Sequence, residues 1–369
     1  MNLNLNLNLS PRLQQILRWC GYGVFYCLCL VLFAYLTFPY ERLRDRIVAE
    51  FNAHQTGPKP LRLKLGDLSS YWLSGIEAEQ IELISFAEPA SSEPGANGEA
   101  AKPQKPKVMT IDQAHGSISL LRLLFGTVHI SFGADAFGGE LSGLTSDADG
   151  SRKLEIELDE LDFGQAPLFG DAVGLPLSGK LSGTIDLLLP EGKLSKADGK
   201  INLKVVELAV GDGKAKIRDA IALPKVDAGD LVLEAEATNG QLKVTNLGAK
   251  GPDLELSSDG SLRLKDNFDS SILSLGLRFK FTESYTNKNE MTRGLFGSGT
   301  TPGLFDLDPK NKRAKRPDGF YGWRASGSVS HLQFTPSQSA GGGETPEAGS
   351  GVAPGTSKRK RKPAAAGTE

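Results

Sequence analysis

LVLEAEA at residues 231–237 and LSLGLRFKF at residues 273–281 alternate between apolar side chains and polar or small ones. Successive side chains of a β-strand point to opposite faces, so a period of two predicts strands with one apolar face and one polar face. The same alternation recurs at 61–65, 76–83, 154–158, 201–205, 242–244, 254–258, 262–265 and 326–334. The chain is therefore predicted to be mainly β.

Glycine-containing pairs punctuate these stretches. A tight hairpin turn needs positive φ at its two central residues, and Asn-Gly or Asp-Gly pairs supply it. Such pairs occur at 149–150, 198–199, 239–240 and 259–260. The pattern predicts a long antiparallel meander, and long twisted meanders curl into a groove or half-barrel. The pattern leaves open whether the apolar inner face closes as a simple core or stays open as a trough for lipid.

The N-terminal region has a different pattern. Trp19–Phe38 (WCGYGVFYCLCLVLFAYLTF) contains no charged residue, and about 20 helical residues span the hydrocarbon layer of a bilayer. It is therefore predicted to be a transmembrane helix after an N-terminal tail at 1–18. A cleaved signal peptide is the alternative, but the apolar run is longer than a signal peptide needs, and bulky residues follow where a small cleavage motif is expected.

The charged residues on the two sides of this helix do not decide its orientation. Arg12 and Arg18 precede it, whereas Arg42, Arg44 and Arg46 follow it, so the positive-inside rule almost ties. Past the helix, 39–60 is predicted to be an amphipathic helix and linker, followed by the β-domain at 61–336. Within that domain we expect a disordered insertion at 87–107 and a mobile loop at 286–318, and after it a disordered basic tail at 337–369.

The chemistry-bearing residues form no recognised constellation. The net charge of -2 and pI near 6.2 argue against nucleic-acid binding. All three cysteines lie within 19–38, the four histidines are scattered, and GLPLSGK at 174–180 lacks the Ser or Thr that completes a phosphate-binding loop. We therefore expect no enzyme, with no catalytic residue, no cofactor and no metal.

Two aromatic groups stand out in a domain that is poor in aromatics. The candidate interface residues are Tyr71, Trp72 and Leu73, and Phe320, Tyr321 and Trp323. Exposed aromatics often anchor protein interfaces. The alternative is that both groups close the ends of the β-domain as core residues.

Several short motifs suggest a family. FPYERLRDRI at 38–47, YWLSGIEAEQIEL at 71–83, LPLSGKLSGTIDLLLP at 175–190 and DGFYGWRASGSVSHLQF at 318–334 resemble the GspN family of bacterial type II secretion systems. More distantly, the chain is similar to AsmA-like envelope proteins. The insertion at 87–107 and the basic tail depart from the expected pattern.

The resemblance implies a single-pass protein of the bacterial inner membrane with a cytoplasmic N-terminus and a periplasmic β-domain. The expected function is a non-enzymatic accessory role in type II protein secretion, in contact with other secretion subunits. The alternative is an AsmA-like protein that binds or transfers phospholipid. The resemblance implies no catalytic residue.

Overall fold

The computed structural model describes the residues of ten ranges. These are 11–53, 61–72, 74–85, 107–148, 150–166, 176–212, 216–217, 221–222, 224–298 and 301–338. Most of the predicted insertion at 87–107 and of the predicted tail at 337–369 lies outside them.

The described residues form seven α-helices and nineteen strands. The helices are α1 (Pro11–Leu36), α2 (Tyr40–Ala53), α3 (Leu120–Leu124), α4 (Glu283–Thr286), α5 (Glu290–Phe296), α6 (Leu304–Leu307) and α7 (Pro309–Ala314). The strands are β1 (Leu61–Lys64), β2 (Leu68–Tyr71), β3 (Gly75–Ser85), β4 (Lys107–Ile118), β5 (Val128–Ala136), β6 (Gly139–Ala148), β7 (Ser151–Asp162), β8 (Leu177–Pro190), β9 (Asp198–Val210), β10 (Lys216–Ile217), β11 (Ile221–Ala222), β12 (Val226–Thr238), β13 (Gln241–Lys250), β14 (Leu254–Arg263), β15 (Ile272–Phe281), β16 (Gly297–Ser298), β17 (Thr301–Pro302), β18 (Tyr321–Ser328) and β19 (His331–Pro336).

Fifteen of the strands form one sheet in which every pairing is antiparallel. Its order is β1-β3-β4-β5-β6-β7-β8-β9-β12-β13-β14-β15-β18-β19, with β2 also paired to β3. The order follows the chain, so the prediction of a long antiparallel meander is confirmed. The sheet does not close, because β1 and β19 are its two ends and do not pair with each other.

The predicted turns and strand limits were correct only in part. Asn239-Gly240 forms a hairpin turn with φ values of 49° and 74°. In contrast, Asp259-Gly260 lies inside β14, and Asp198-Gly199 begins β9. The stretch 326–334, predicted as one strand, instead contains the turn between β18 and β19.

The amphipathic helix after the apolar segment is confirmed as α2. Leu43, Ile47, Val48 and Phe51 are half-buried, and α2 packs beside β1 and β2. Within the described residues, however, no helix is both long enough and apolar enough to cross a membrane. The predicted membrane span at 19–38 therefore has no support from the structure.

The stretch predicted as a loop at 286–318 differs from that prediction. It contains α5, α6 and α7 and the small β16-β17 ladder. Local capping stabilises the start of α5. The Asn289 side chain accepts a hydrogen bond from the Thr292 backbone N–H, and the Thr292 hydroxyl accepts one from the Asn289 backbone N–H.

Many of the buried residues fall into three clusters. One cluster contains Leu187, Leu189 and Ala237, and another contains Val205, Ala228 and Ala249. A third joins the sheet to the C-terminal helices through Tyr285 and Leu295. Among the described residues, the core is thus divided into clusters along the sheet, and one of these clusters lies between the sheet and the C-terminal helices.

Candidate functional site: the apolar face of the sheet

The register aligns one residue from each of the thirteen strands that run from β3 to β19 in the sheet order into a single apolar row. Residues directly opposite each other in antiparallel strands share a face, so this row marks one side of the sheet. The row runs through Ile76, Gly116, Phe132, Gly143, Ile156, Ile185, Ile201, Ala235, Val244, Gly260, Leu275, Ala325 and Phe334. We call the face that carries it the trough.

A second row extends the trough toward the C-terminal helices. It runs through Leu203, Leu233, Leu247, Ser258, Leu277 and Trp323. The opposite face of the same strands is charged, with Lys200 and Glu236 forming an ion pair of 3.2 Å and Lys204 and Asp230 one of 2.9 Å. The two faces therefore differ sharply in polarity.

Among the described residues, no second sheet covers the middle of the trough. Ile185, Ile201, Leu203 and Leu233 are half-buried. Within the described part of the chain, short 3-10 turns pack on β8, and Tyr285 and Leu295 of α4 and α5 pack on Val226 at the start of β12, whereas no second sheet lies over the middle of these strands. The face is therefore apolar and only half-buried between the buried clusters, and apolar surface that a folded domain leaves partly accessible is a candidate binding site.

Glycines and a large ring shape the trough. A Cβ atom at Gly143 would lie 2.3 Å from Cζ of Phe132, so only glycine leaves room for the ring to lie across the neighbouring strand. An aromatic ring over a glycine compensates for the contacts that a missing side chain cannot make. The position therefore needs glycine for close approach, and the ring keeps the face apolar.

The C-terminal end of the trough is an aromatic cavity of about 330 Å³. Pockets that hold small ligands begin at roughly this volume. Its lining is Leu277, Phe279, Phe305, Asn311, Trp323 and Phe334. The Asn311 amide donates to the Phe305 carbonyl at 3.0 Å, which ties the single amide of the lining to the helices that roof the cavity.

Two buried phenols hold the roof in place. Tyr285 is completely buried, donates its hydroxyl to the Pro224 carbonyl at 2.9 Å, and stacks against Phe281. Tyr321 donates its hydroxyl to the Asp306 carboxylate at 2.7 Å. Burial, with a smaller effect of Asp253, raises the pKa of Tyr285 to about 12. Burial and the Asp306 carboxylate also raise the pKa of Tyr321.

The candidate interface residues take several different roles. Trp323 lines the aromatic cavity, Tyr321 is a core residue, and Phe320 lies 3.9 Å beneath the Arg278 guanidinium. Tyr71 stacks on His115 with ring centroids 4.4 Å apart, and Trp72 is 79% exposed. Leu73 lies outside the described residues.

The two candidate groups are not brought together. Residues 71 and 72 flank β3 near the start of the strand order, whereas residues 320–323 lie at β18 near its end. Sequence reasoning missed Phe305, which belongs to a helix in the stretch predicted as a loop. It could have found Leu277 and Phe279, since the alternation in 273–281 places both on one face.

The site offers packing surface instead of reactive groups. Among the residues that the structure describes, no three His, Cys, Asp or Glu side chains are grouped as metal ligands. Comparison of the chain with models of known families, with curated proteins and with solved structures finds no match. The resemblance to GspN and AsmA-like proteins therefore stays a prediction from short motifs.

Proposed function

We propose that this protein binds phospholipid and holds the acyl chains in the trough. The observation that carries the proposal is the apolar row from Ile76 to Phe334, whose middle has no second sheet over it within the described residues. Each methylene group removed from water contributes about 0.8 kcal/mol, so an acyl chain lying along the row, across the strands, would be stabilised by this surface. The aromatic cavity beside Trp323 would receive the end of the chain.

A membrane anchor is the second part of the proposal. The 26 residues of α1 span about 39 Å at 1.5 Å per residue, and Phe25, Leu28 and Phe33 among its side chains are exposed. This part depends on the sequence and on that exposure, since the described residues include no helix that is long and apolar enough to cross a membrane. We place the anchor in a bacterial inner membrane, with the β-domain in the periplasm.

Two adjacent residues provide a matched test of lipid binding. Leu203 lies in the trough, and Lys204 lies on the charged face. A photoreactive amino acid at 203 should crosslink to phospholipid in cells, whereas the same probe at 204 should not. Mass spectrometry of the purified full chain should also detect phospholipid. Equal crosslinking at both positions together with a lipid-free protein would reject the proposal.

An accessory role in type II secretion is the second candidate, and the open edge of β19 favours it. No strand pairs with the outer side of β19 within the described residues, so its backbone could accept a strand from a secretion subunit. Deleting the protein should then reduce export of secreted enzymes. Unchanged export would remove this candidate and leave the lipid-binding proposal standing.

A further inference from the structure

A small apolar knob projects from the sheet between β4 and β5. It consists of α3 and Phe125, and Leu121, Leu124 and Phe125 are 74%, 79% and 82% exposed. Residues three and four apart lie on the same side of a helical turn. These three apolar side chains therefore lie together at one tip that points into solvent.

The knob is an ordered structure with its cation turned away from the tip. The Leu123 N–H donates to the Ser119 carbonyl at 3.0 Å, and Gly126 ends the turn at a φ of 82°. Arg122 lies between the exposed leucines in sequence, but its Nη1 is 2.7 Å from Nδ1 of His129 on β5. The tip itself is thus free of charge.

Trp72 directly follows β2, two residues before Ser74, which is hydrogen-bonded to the end of the strand that leads into the knob. The Ser74 hydroxyl donates to the Ile118 carbonyl at 2.6 Å, which joins the turn after β2 to the residue two positions before α3. Trp72 has a φ of 53°, a conformation that is unfavourable for a bulky residue. An exposed indole in a strained turn next to exposed leucines is typical of a membrane-interface anchor.

The knob and Trp72 lie at the end of the sheet that α1 reaches. The hydroxyls of Tyr35 in the last turn of α1 and Ser70 in β2 form a hydrogen bond of 2.8 Å, two residues before Trp72. Leu36, at the end of α1, is also exposed. Exposed apolar side chains therefore occur on all three neighbouring elements.

We propose that the knob and Trp72 insert into the surface of the lipid bilayer and form a second membrane contact beside α1. The inference rests on the proposed function, since α1 is what brings this end of the sheet to a membrane. A bilayer is favoured over a protein partner because the patch combines an uncharged tip and an interfacial indole next to an exposed apolar helix.

The contact would also open the trough toward the membrane. Ile118 pairs with Ile130 on the trough face, and α3 begins two residues later. Acyl chains leaving the bilayer at the knob would meet this apolar pair first. The inserted end would therefore be the mouth of the trough, and the aromatic cavity near Trp323 would lie at its far end.

Three photoreactive positions test the inference in the full chain, reconstituted in liposomes of phosphatidylethanolamine and phosphatidylglycerol. The test position is Leu124, and the matched control is Leu307, an exposed leucine in a short helix at the other end of the strand order. Phe25 reports separately on α1. We expect phospholipid adducts at 124 with a yield similar to that at 25, and we expect no adducts at 307.

Each outcome separates the inference from the anchor. Adducts at 25 without adducts at 124 would overturn the inference and leave the anchor. Adducts at 124 but not at 25 would remove the anchor and keep the membrane contact of the knob. Equal yields at 124 and 307, or adducts of 124 with protein instead of lipid, would overturn the inference, and no adduct at 25 or 124 would overturn both.

Discussion

The two ends of the sheet are finished in opposite ways. At the N-terminal end, Asn52 of α2 caps the edge strand β1, accepting from the Leu63 N–H at 2.9 Å and donating to the Leu63 carbonyl at 3.3 Å. At the C-terminal end, β19 has no strand on its outer side within the described residues, and Phe334 is exposed. An unpaired edge invites pairing with other chains. The edge strand β1 is therefore capped by a side chain, whereas β19 contacts α7 but leaves one side of its backbone without a paired strand in the described residues.

The stability of the two ends also has different sources. The C-terminal end is roofed by an aromatic cluster in which Phe281, Tyr285, Phe296 and Phe305 contact one another. The N-terminal end has buried aliphatic side chains such as Leu63 and Ile81 in place of an aromatic cluster, together with half-buried side chains of α2 and the bonds from Asn52 to the backbone. We therefore expect a core substitution at one end to lower the local stability of that end only, and to do so by more than a surface substitution.

The largest effect is expected for Tyr285→Ala. The change removes a completely buried ring and its hydrogen bond to Pro224, and truncating a buried aromatic residue costs about 3–5 kcal/mol. Hydrogen exchange should accelerate in β18 and in α4 to α7, whereas exchange in β1 should not change. Equal acceleration in β1 would show that the two ends unfold as one unit.

Alkaline pH should weaken the C-terminal end next. The pKa of Tyr285 is raised from 10.0 to about 12, so its contribution is complete below pH 10 and is lost as the pH rises to 12. Two pKa units correspond to about 3 kcal/mol. The urea midpoint of unfolding should therefore fall between pH 10 and 12, and the fall should be smaller in Tyr285→Phe. An identical fall in the variant would assign the effect to other groups.

Asn52→Ala tests the protected end. The variant loses both bonds to Leu63, and two such bonds are worth about 1–2 kcal/mol. The Leu63 amide should exchange faster with solvent, and the uncovered edge should promote self-association at high protein concentration. Asn52→Gln provides the control, because it keeps the amide but moves it by one methylene group. Unchanged exchange in Asn52→Ala would show that α2 does not protect β1.

The sequence predicts the middle of the molecule better than either end. Strict alternation identifies strands such as β9 and β12, because one face is apolar and the other is solvated. Rules based on dipeptides fail where the sheet continues through them, as at Asp259-Gly260 in β14, where pairing with both neighbouring strands outweighs the turn preference. Helices α5 to α7 are too short to show a period, and their order comes from caps and from long-range contacts of Phe305.

The sequence predicts that the sheet has an apolar face, but it does not predict where the individual aromatic residues lie on that face. Alternation in 201–205 and 231–237 predicts one apolar face for each strand, and the register of the structure places Leu203, Leu233 and Trp323 in one row. No local signal distinguishes Trp72, which is exposed, from Tyr321, which is buried, since both are aromatics at the ends of strands. The difference arises from the helices packed over β18, whose partner Asp306 is 15 residues away in sequence.

The smallest effect concerns acid pH at the N-terminal end. The pKa of His129 is lowered below 6.5 by partial burial and by the positive charge of Arg122. The negative charge of Glu155 opposes this shift but is the smaller effect. The unfolded chain therefore binds a proton more readily, so the stability that His129 contributes is present above pH 6.5 and is lost as the pH falls below it. Protonation would also repel Arg122 from His129 and release the base of the knob.

Hydrogen exchange at Thr127 and Gly126 should increase modestly between pH 6.5 and 5, after correction for the intrinsic rate. His129→Gln should lose this dependence, whereas exchange in β18 should stay constant over the same range, so that acid loosens one end of the sheet and alkali the other.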